Sequence, residues 1–162
     1  MNTIQFERNK EIIKNKKKLE EKLKIRIIVQ KNFIIIDGNP LDEYEASIVL
    51  EAVNEGFPVE TALNLIKEEI IFKKLNIKDY TKRKDISVVR GRIIGTHGKT
   101  KKTLEQITDC SIKIKENNVS IIGHAEEVKN VITSIISIIR GAKQKNAYKY
   151  LERINTKNKK NI

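Results

Sequence analysis

The chain has 162 residues, 39% of them hydrophobic and 33% charged, which is typical of a folded protein with room for one full core or two small ones. Lys and Arg number 33 against 21 Asp and Glu, and the net charge of +12 favours a polyanionic partner such as nucleic acid or an anionic membrane surface. Charge interrupts every apolar run before the roughly 18 residues of a membrane span, and the N-terminus shows no export signal, so a cytoplasmic location is expected.

The sequence matches itself when it is shifted so that Lys16 falls on Lys101, and no gap is needed. Each copy predicts a strand of alternating apolar residues, a polar turn, a second apolar run closed by glycine, and a helix. The matching pairs include Lys16 and Lys101, Leu19 and Leu104, Glu20 and Glu105, Ile27 and Ile112, Gly38 and Gly123, and Gly56 and Gly141. The repeat therefore predicts two related domains.

The first copy predicts a helix whose core positions, Ala46, Leu50 and Val53, are spaced four and three residues apart. Gly56 is predicted to stop this helix. Between Asp37 and Glu69, nine residues are acidic and one is basic. One face of this copy is therefore expected to avoid a polyanion and to meet a protein.

The second copy predicts the order β-α-α-β-β-α, with Val131, Ile135 and Ile138 as the core positions of its last helix. The predicted elements are a strand near Ile86 to Arg90, a helical turn at 92–94, a helix from Lys99 to Thr108, strands from Ser111 to Lys115 and from Val119 to Ile122, and a helix from Glu126 to Arg140. The surrounding sequence is basic, with nine basic and two acidic residues between Lys78 and Lys102.

The segment GRIIGTHGKT raises the question of a nucleotide-binding P-loop, because it ends in Gly-Lys-Thr. That motif requires a glycine where this chain has Ile93, so the match fails. What remains is a pair of glycines, Gly95 and Gly98, separated by two residues and followed by a lysine-rich helix. A Cβ at either glycine would keep a backbone N–H away from a phosphate, and the positive end of the helix favours an anion.

Catalytic chemistry is not indicated. Cys110 lies next to an alternating strand pattern and is predicted to be a buried structural thiol. His124 is predicted to be a turn residue, and two distant histidines with one cysteine do not form a metal site. A nuclease would need Asp, Glu and His residues that converge, and the sequence shows no such cluster. We therefore expect neither enzymatic activity nor a cofactor.

The segment VVRGRIIGTHGKTKKTLEQITDCSIKIKENNVSIIG, with its hairpin and following helix, resembles a type I KH domain. The chain also resembles the archaeal KH proteins of the Pno/Dim/Krr-type ribosome-assembly family. The shared features are two such units in tandem, a GA after the last helix and the tail AYKYLERIN. The resemblance implies an α+β fold of two type I KH domains, β-α-α-β-β-α each. The implied parts are a degenerate KH-like domain at 1–75, a KH domain with the GxxG loop at 76–155, and a basic tail at 156–162.

The first domain is predicted to be degenerate because it lacks the glycine loop. The shift that aligns the two copies sets Lys10, Glu11, Ile12 and Ile13 opposite that loop, and no glycine occurs before Gly38. This domain resembles the family units that serve as scaffolds, although its lysines are free to contact RNA phosphates.

The resemblance also implies a function, which is single-stranded RNA binding through the second domain during small ribosomal subunit assembly and 3′-end maturation of ribosomal RNA. The implied partners are the 3′ end of small-subunit ribosomal RNA, the maturation endonuclease and the α subunit of translation initiation factor two. Ile94 and Ile112 are expected to form the floor under the bases, and His97 to stack on a base, touch a phosphate or remain solvated. The predicted RNA-binding residues are Arg90, Arg92, Ile94, Gly95, Thr96, His97, Gly98, Lys99, Lys101, Lys102 and Ile112.

Two other functions remain open from the residues themselves. One is a general adaptor of RNA decay or RNA silencing, which would also use a KH loop. The other is a protein-interaction scaffold whose basic charge is incidental. Thr96 and His97 stand between the two glycines, where the family usually has basic residues. This departure leaves the contribution of the loop to RNA affinity open.

Overall fold

The computed structural model describes residues 4–7 and 9–160, which divide between a first unit that ends at Ile70 and a second unit that begins at Ile71. Both units combine helices with a three-stranded sheet. Among the described residues, none of the helices has the length and apolar character needed to cross a bilayer.

The first unit follows the order β-α-α-β-β-α and ends in a short extra helix. Its elements are β1 (Ile4–Glu7), α1 (Lys10–Lys14), α2 (Lys16–Leu23), β2 (Arg26–Val29), β3 (Phe33–Asp37), α3 (Pro40–Asn54) and α4 (Val59–Leu63). The strand order is β1-β3-β2, and β3 pairs antiparallel with both neighbours. Ile27, Ile34 and Ile36 point into a buried core with Leu19 and Leu50 of the helices.

The second unit repeats this order and adds a long helix. Its elements are β4 (Ile70–Asn76), α5 (Ile86–Ile94), α6 (Lys99–Thr108), β5 (Ser111–Lys115), β6 (Asn118–His124), α7 (Ala125–Ile139) and α8 (Gln144–Lys160). The strand order is β4-β6-β5, so β5 lies at an edge of the sheet. The predicted hairpin, the helix from Lys99 and the long last helix are confirmed to within two residues at each end.

The helix core positions predicted from spacing are confirmed in both units. Ala46, Leu50 and Val53 are buried on α3, and Val131, Ile135 and Ile138 are buried on α7. A helix presents residues three and four apart on one face, so each triplet packs its helix against the rest of its unit.

The predicted strand near Ile86 to Arg90 is wrong, because these residues begin helix α5. Asp85 caps the helix by accepting a hydrogen bond from the backbone N–H of Ser87, at 3.1 Å. Val89 and Ile93, four residues apart, are both buried, so packing of one helical face overrides the strand preference of β-branched residues. The first strand of this unit is β4, at Ile70–Asn76.

The sequence repeat holds only from α2 and α6 onwards. Helices α3 and α7 begin and end at matching positions of the two copies. Upstream, the single residue Asn15 separates α1 from α2, whereas a four-residue glycine loop separates α5 from α6. The gap-free alignment is therefore wrong before Lys16, and Lys10 to Ile13 lie inside helix α1 rather than opposite the loop.

The predicted boundary between residues 75 and 76 falls within β4, and the predicted basic tail at 156–162 continues helix α8 as far as Lys160. Residues 161 and 162 lie outside the described residues.

Cys110 is a buried thiol, as predicted. Burial raises the pKa of this thiol to about 11, so it stays protonated and unreactive at neutral pH. Gly123 packs directly on it, since a Cβ added to Gly123 would lie 2.6 Å from the Cys110 Sγ atom. The thiol therefore fills space between β6 and the start of β5.

Candidate nucleic-acid interface

The glycine loop forms a tight turn between helices α5 and α6. The backbone N–H of Gly95 donates to the carbonyl oxygen of Gly91 at 2.8 Å, and that of Gly98 donates to the carbonyl oxygen of Gly95 at 3.1 Å. Gly95, His97 and Gly98 have φ angles of 79°, 54° and 75°. Three residues of positive φ within four positions form the turn after which α6 begins at Lys99.

The two glycines meet different constraints. A Cβ added to Gly95 would lie 2.6 Å from the backbone nitrogen of Thr100, so only glycine fits there. A Cβ added to Gly98 would meet no atom within 4 Å. The space in front of Gly98 is therefore open to a molecule that approaches the loop from outside.

The N-terminus of α6 combines a helix end that lacks a side-chain cap with nearby positive charge. Gly98 is the N-cap residue, and among the described residues no side chain caps this helix by a hydrogen bond. Lys99 and Lys102 are exposed, whereas Lys101 forms a salt bridge of 3.1 Å with Glu105. The absence of a side-chain cap, the helix dipole and two exposed lysines together favour a phosphate, although the Lys99 N–H itself donates to the carbonyl oxygen of Thr96.

Arg92 has a structural role that the sequence did not predict. Its Nη1 atom donates to the carbonyl oxygen of Ile138 at 2.9 Å, and its Nη2 atom donates to that of Ala142 at 2.7 Å. The Ile138 oxygen lies in the last turn of α7, where a positive charge is stabilised by the helix dipole, and the Ala142 oxygen lies in the turn that follows. The guanidinium thus ties the end of α5 to the turn between α7 and α8.

Arg90 makes fewer hydrogen bonds within the protein than Arg92 does. Its Nη1 atom donates one hydrogen bond of 3.0 Å to the carbonyl oxygen of Glu116, in the turn of the β5–β6 hairpin. This contact links α5 to the hairpin and leaves the other guanidinium donors of Arg90 available.

The apolar floor predicted from the sequence is wrong at Ile112, whereas Ile94 stays a prediction. Ile94 is half-buried at the end of α5, but Ile112 is 0% exposed and belongs to the core, so it has no surface to offer a base. Ile114 lies two residues further along β5, on the same face of the strand, and is half-buried. Ile94 and Ile114 are therefore the partly accessible candidates for this floor, in place of Ile94 and Ile112.

Helix α5 presents two further residues that sequence reasoning missed. Val88 is 46% exposed, and Gly91, three residues later on the same face, has no atom within 4 Å of an added Cβ. A glycine inside a helix is normally unfavourable, so one that faces open space marks a place where another molecule can come close to the helix backbone. The sequence places Val88 and Gly91 on one face only if the segment is a helix, and the sequence predicted a strand there.

The two histidines are separate. His97 is exposed within the loop, and His124 is the exposed N-cap residue of α7. Over the described ranges, no group of three or more His, Cys, Asp and Glu residues is placed to hold a metal ion. Glu127, next to His124, is partly buried, and this burial raises the pKa of its carboxyl group.

Comparison with known proteins places this geometry in a family. Residues 71–156 match the family model for the second KH domain of PNO1, described as a eukaryotic type KH-domain (KH-domain type I). The chain belongs to this KH family. The match covers the glycine loop and all of the elements that surround it, and the predicted resemblance is confirmed.

Curated members of the family include proteins from archaea and animals. The chain is 30% identical over 145 residues to a KH domain-containing protein of Methanocaldococcus jannaschii, covering 85% of this chain and 64% of the relative. It is 30% identical over 107 residues to the RNA-binding protein PNO1 of Oryzias latipes, covering 64% of this chain and 44% of the relative. The chain thus spans less than two thirds of these relatives.

Solved structures confirm the α+β KH fold. Dim2p from Pyrococcus horikoshii superposes with a TM-score of 0.83 at 26% identity, over 94% of this chain and 99% of that one. A chain of the a/eIF2alpha–aDim2p–rRNA complex from the same organism gives a TM-score of 0.84 at 26% identity, over 96% of this chain and 95% of that one.

Proposed function

We propose that this protein binds single-stranded RNA through the Gly95–Gly98 loop of the second unit and acts in assembly of the small ribosomal subunit. The observation that carries the proposal is the loop itself, in which an uncapped helix N-terminus, open space at Gly98 and exposed Lys99 and Lys102 coincide. Family membership supplies the context, because KH loops of this type hold the backbone of about four unpaired nucleotides.

The loop favours backbone recognition. The phosphates approach the N–H groups at the start of α6, where Gly98 leaves room for them, while Lys99 and Lys102 attract the strand over a longer range. Thr96 and His97 project from the exposed tip of the loop. Bases then lie over Ile94 and Ile114, along the α5 face that carries Val88 and Gly91.

The ribosomal target comes from the relatives. A pre-rRNA-processing protein PNO1 of Chaetomium thermophilum is 30% identical over 100 residues, and the Pyrococcus horikoshii complex joins aDim2p to rRNA and a/eIF2alpha. We propose that this chain recognises the 3′ end of small-subunit ribosomal RNA and has the α subunit of translation initiation factor two and the maturation endonuclease as protein partners. This assignment makes it a cytoplasmic binding protein rather than an enzyme.

The first unit is proposed to be a degenerate KH domain. It has the same element order and corresponding strand order as the second unit. Glu20 accepts a hydrogen bond from the backbone N–H of Ile27 at 2.9 Å, and at the matching position of the second copy Glu105 accepts one from that of Ile112 at 3.1 Å. This shared hydrogen bond supports a common fold. The domain is proposed to be degenerate because the single residue Asn15 joins α1 to α2, in the place where the second unit has its glycine loop.

Crosslinking the protein to cellular RNA, followed by sequencing of the bound fragments, tests the proposal. Enrichment of the 3′ end of small-subunit ribosomal RNA is the expected result. Mixed messenger RNA would instead favour an adaptor of RNA decay or silencing. Background recovery of RNA would favour a protein-interaction scaffold.

A further inference from the structure

Helix α8 extends the second unit in a way that the first unit does not match. The short helix α4, Val59–Leu63, corresponds in the sequence repeat to the start of α8, but α8 continues to Lys160. The long helix is therefore specific to the unit that carries the glycine loop. A folding requirement common to both units does not explain its length.

The orientation of α8 is fixed at both ends. The Gln144 Nε2 atom donates to the carbonyl oxygen of Arg92 at 3.3 Å, three residues before the glycine loop. Asn155 donates through Nδ2 to the carbonyl oxygen of Ile107, near the far end of α6. Ala147 and Leu151 are buried between these contacts. Helix α8 therefore begins at the loop end of the unit and runs alongside α6 in the same direction.

The outer face of α8 carries a stripe of three basic side chains, Lys145, Lys149 and Arg153, which we call the α8 basic stripe. All three are exposed, and none has a hydrogen bond or ion pair within the part of the chain that the structure describes. Four-residue steps along a helix advance about 6 Å each, so the stripe extends over about 12 Å. Glu152, also exposed, is its one acidic neighbour in α8.

Helix stability does not explain the start of this stripe. The first turns of α3 and α7 each contain two acidic residues, which complement the positive end of the helix dipole. The first turn of α8 has no acidic residue and contains Lys145, a placement that the dipole disfavours. A positive charge at a position that the helix dipole disfavours is better explained by an anionic partner.

We propose that the α8 basic stripe is a second phosphate-binding surface, over which single-stranded RNA continues after it leaves the Gly95–Gly98 loop. The inference rests on the proposed function of that loop. A strand held at the loop lies beside the start of α8, and the three cations follow one another away from that point. Contacts of this kind add affinity in proportion to RNA length and do not read bases.

The test uses the full chain and two fluorescent RNAs taken from the 3′ end of small-subunit ribosomal RNA, one of about 12 nucleotides and one of about four, the length a KH loop holds. The triple variant Lys145→Gln, Lys149→Gln, Arg153→Gln removes the stripe. The control variant Lys73→Gln, Lys78→Gln, Lys129→Gln removes the same charge from other exposed positions of the second unit. Thermal melting checks that both variants are folded.

For the stripe variant we expect roughly tenfold weaker binding of the long RNA and a slope of log affinity on log salt that is shallower by about 2, at about −0.7 per lost contact. Binding of the short RNA should change by less than about twofold, and the control variant should bind both RNAs like the unaltered protein. Equal losses in the stripe and control variants would overturn the proposal. So would a loss on the short RNA as large as that on the long one. Failure of the loop proposal looks different, because substitutions at Thr96 and His97 would then leave both RNAs bound.

Discussion

Gly95 and Thr100 approach each other so closely that a Cβ atom on Gly95 would lie 2.6 Å from the backbone nitrogen of Thr100. Gly98 has a similar φ angle, 75° against 79°, but faces open space. The packing of the loop therefore requires Gly95, whereas Gly98 is favoured by its positive φ and leaves room for the RNA backbone that we propose to bind there.

Alanine substitutions should separate these two requirements. Gly95→Ala combines a backbone conformation that is essentially limited to glycine with a steric clash, so we expect the free energy of unfolding to fall by about 2–4 kcal/mol. Gly98→Ala carries left-handed strain alone, at about 1–2 kcal/mol, and should weaken RNA binding while the protein remains folded. Chemical denaturation and RNA titration measure the two effects. Equal destabilisation by both substitutions would show that the packing against Thr100 is unimportant.

Gly91→Ala should have opposite effects on stability and binding. Alanine is favoured over glycine inside a helix by about 0.5–1 kcal/mol, and the open space at Gly91 accepts its methyl group. We expect the melting temperature to rise and RNA affinity to fall, because the added methyl group occupies the surface along which RNA is proposed to lie. Thr133→Ala, at an exposed position of α7, is the control. Unchanged affinity would remove Gly91 from the interface.

The structural and RNA-binding roles of the two arginines can also be distinguished. Arg92→Gln removes two hydrogen bonds to carbonyl oxygens at the end of α7 and should lower the free energy of unfolding by about 2–3 kcal/mol. Arg90→Gln removes one bond at an exposed site, so a loss of about 1 kcal/mol is expected. Denaturation curves give both values. A stable Arg92→Gln protein that no longer binds RNA would instead support the RNA contact predicted from sequence.

Much of the fold was readable from the sequence where periodicity and turn residues agree. The β5–β6 hairpin and α7 were found because alternation of apolar residues gives way to a spacing of three and four, with Gly123 at the change. Helix α5 was missed because Ile86, Val88 and Val89 are β-branched, and only their tertiary packing shows the helix. Strand β4 was not predicted, and the predicted boundary between residues 75 and 76 falls within it, because no earlier segment of the chain aligns with Ile70–Asn76 under the repeat.

The candidate site was predicted in position more successfully than in detail. The loop glycines stand where the motif placed them, at the start of α6. Sequence alone could not show that Ile112 points into the core and Ile114 is half-buried, since both lie on the same face of β5. The sequence also could not show that the Arg92 guanidinium donates two hydrogen bonds within the protein. Its acceptors are the backbone carbonyl oxygens of Ile138 and Ala142, which are distant in sequence, and every residue has such an oxygen.

Salt dependence should reveal how many phosphates the loop neutralises. With about three to five contacts to single-stranded RNA, the slope of log affinity on log salt should lie between roughly −2 and −3.5 for a short RNA. Fluorescence anisotropy over a series of potassium chloride concentrations gives the slope. Affinity that does not change with salt would favour the scaffold interpretation.

The most direct test of the central claim replaces Thr96 and His97 with aspartate in the full chain. Both side chains are exposed, and the left-handed φ of 54° at His97 is one that Asp and Asn tolerate, so the fold should be retained. The control is Thr96→Ser with His97→Asn, which keeps the loop neutral. We expect the aspartate variant to bind single-stranded ribosomal RNA at least tenfold more weakly than this control, because its negative charges face the phosphates. If the folded aspartate variant binds within about twofold of the control, the Gly95–Gly98 loop is not the RNA-binding site.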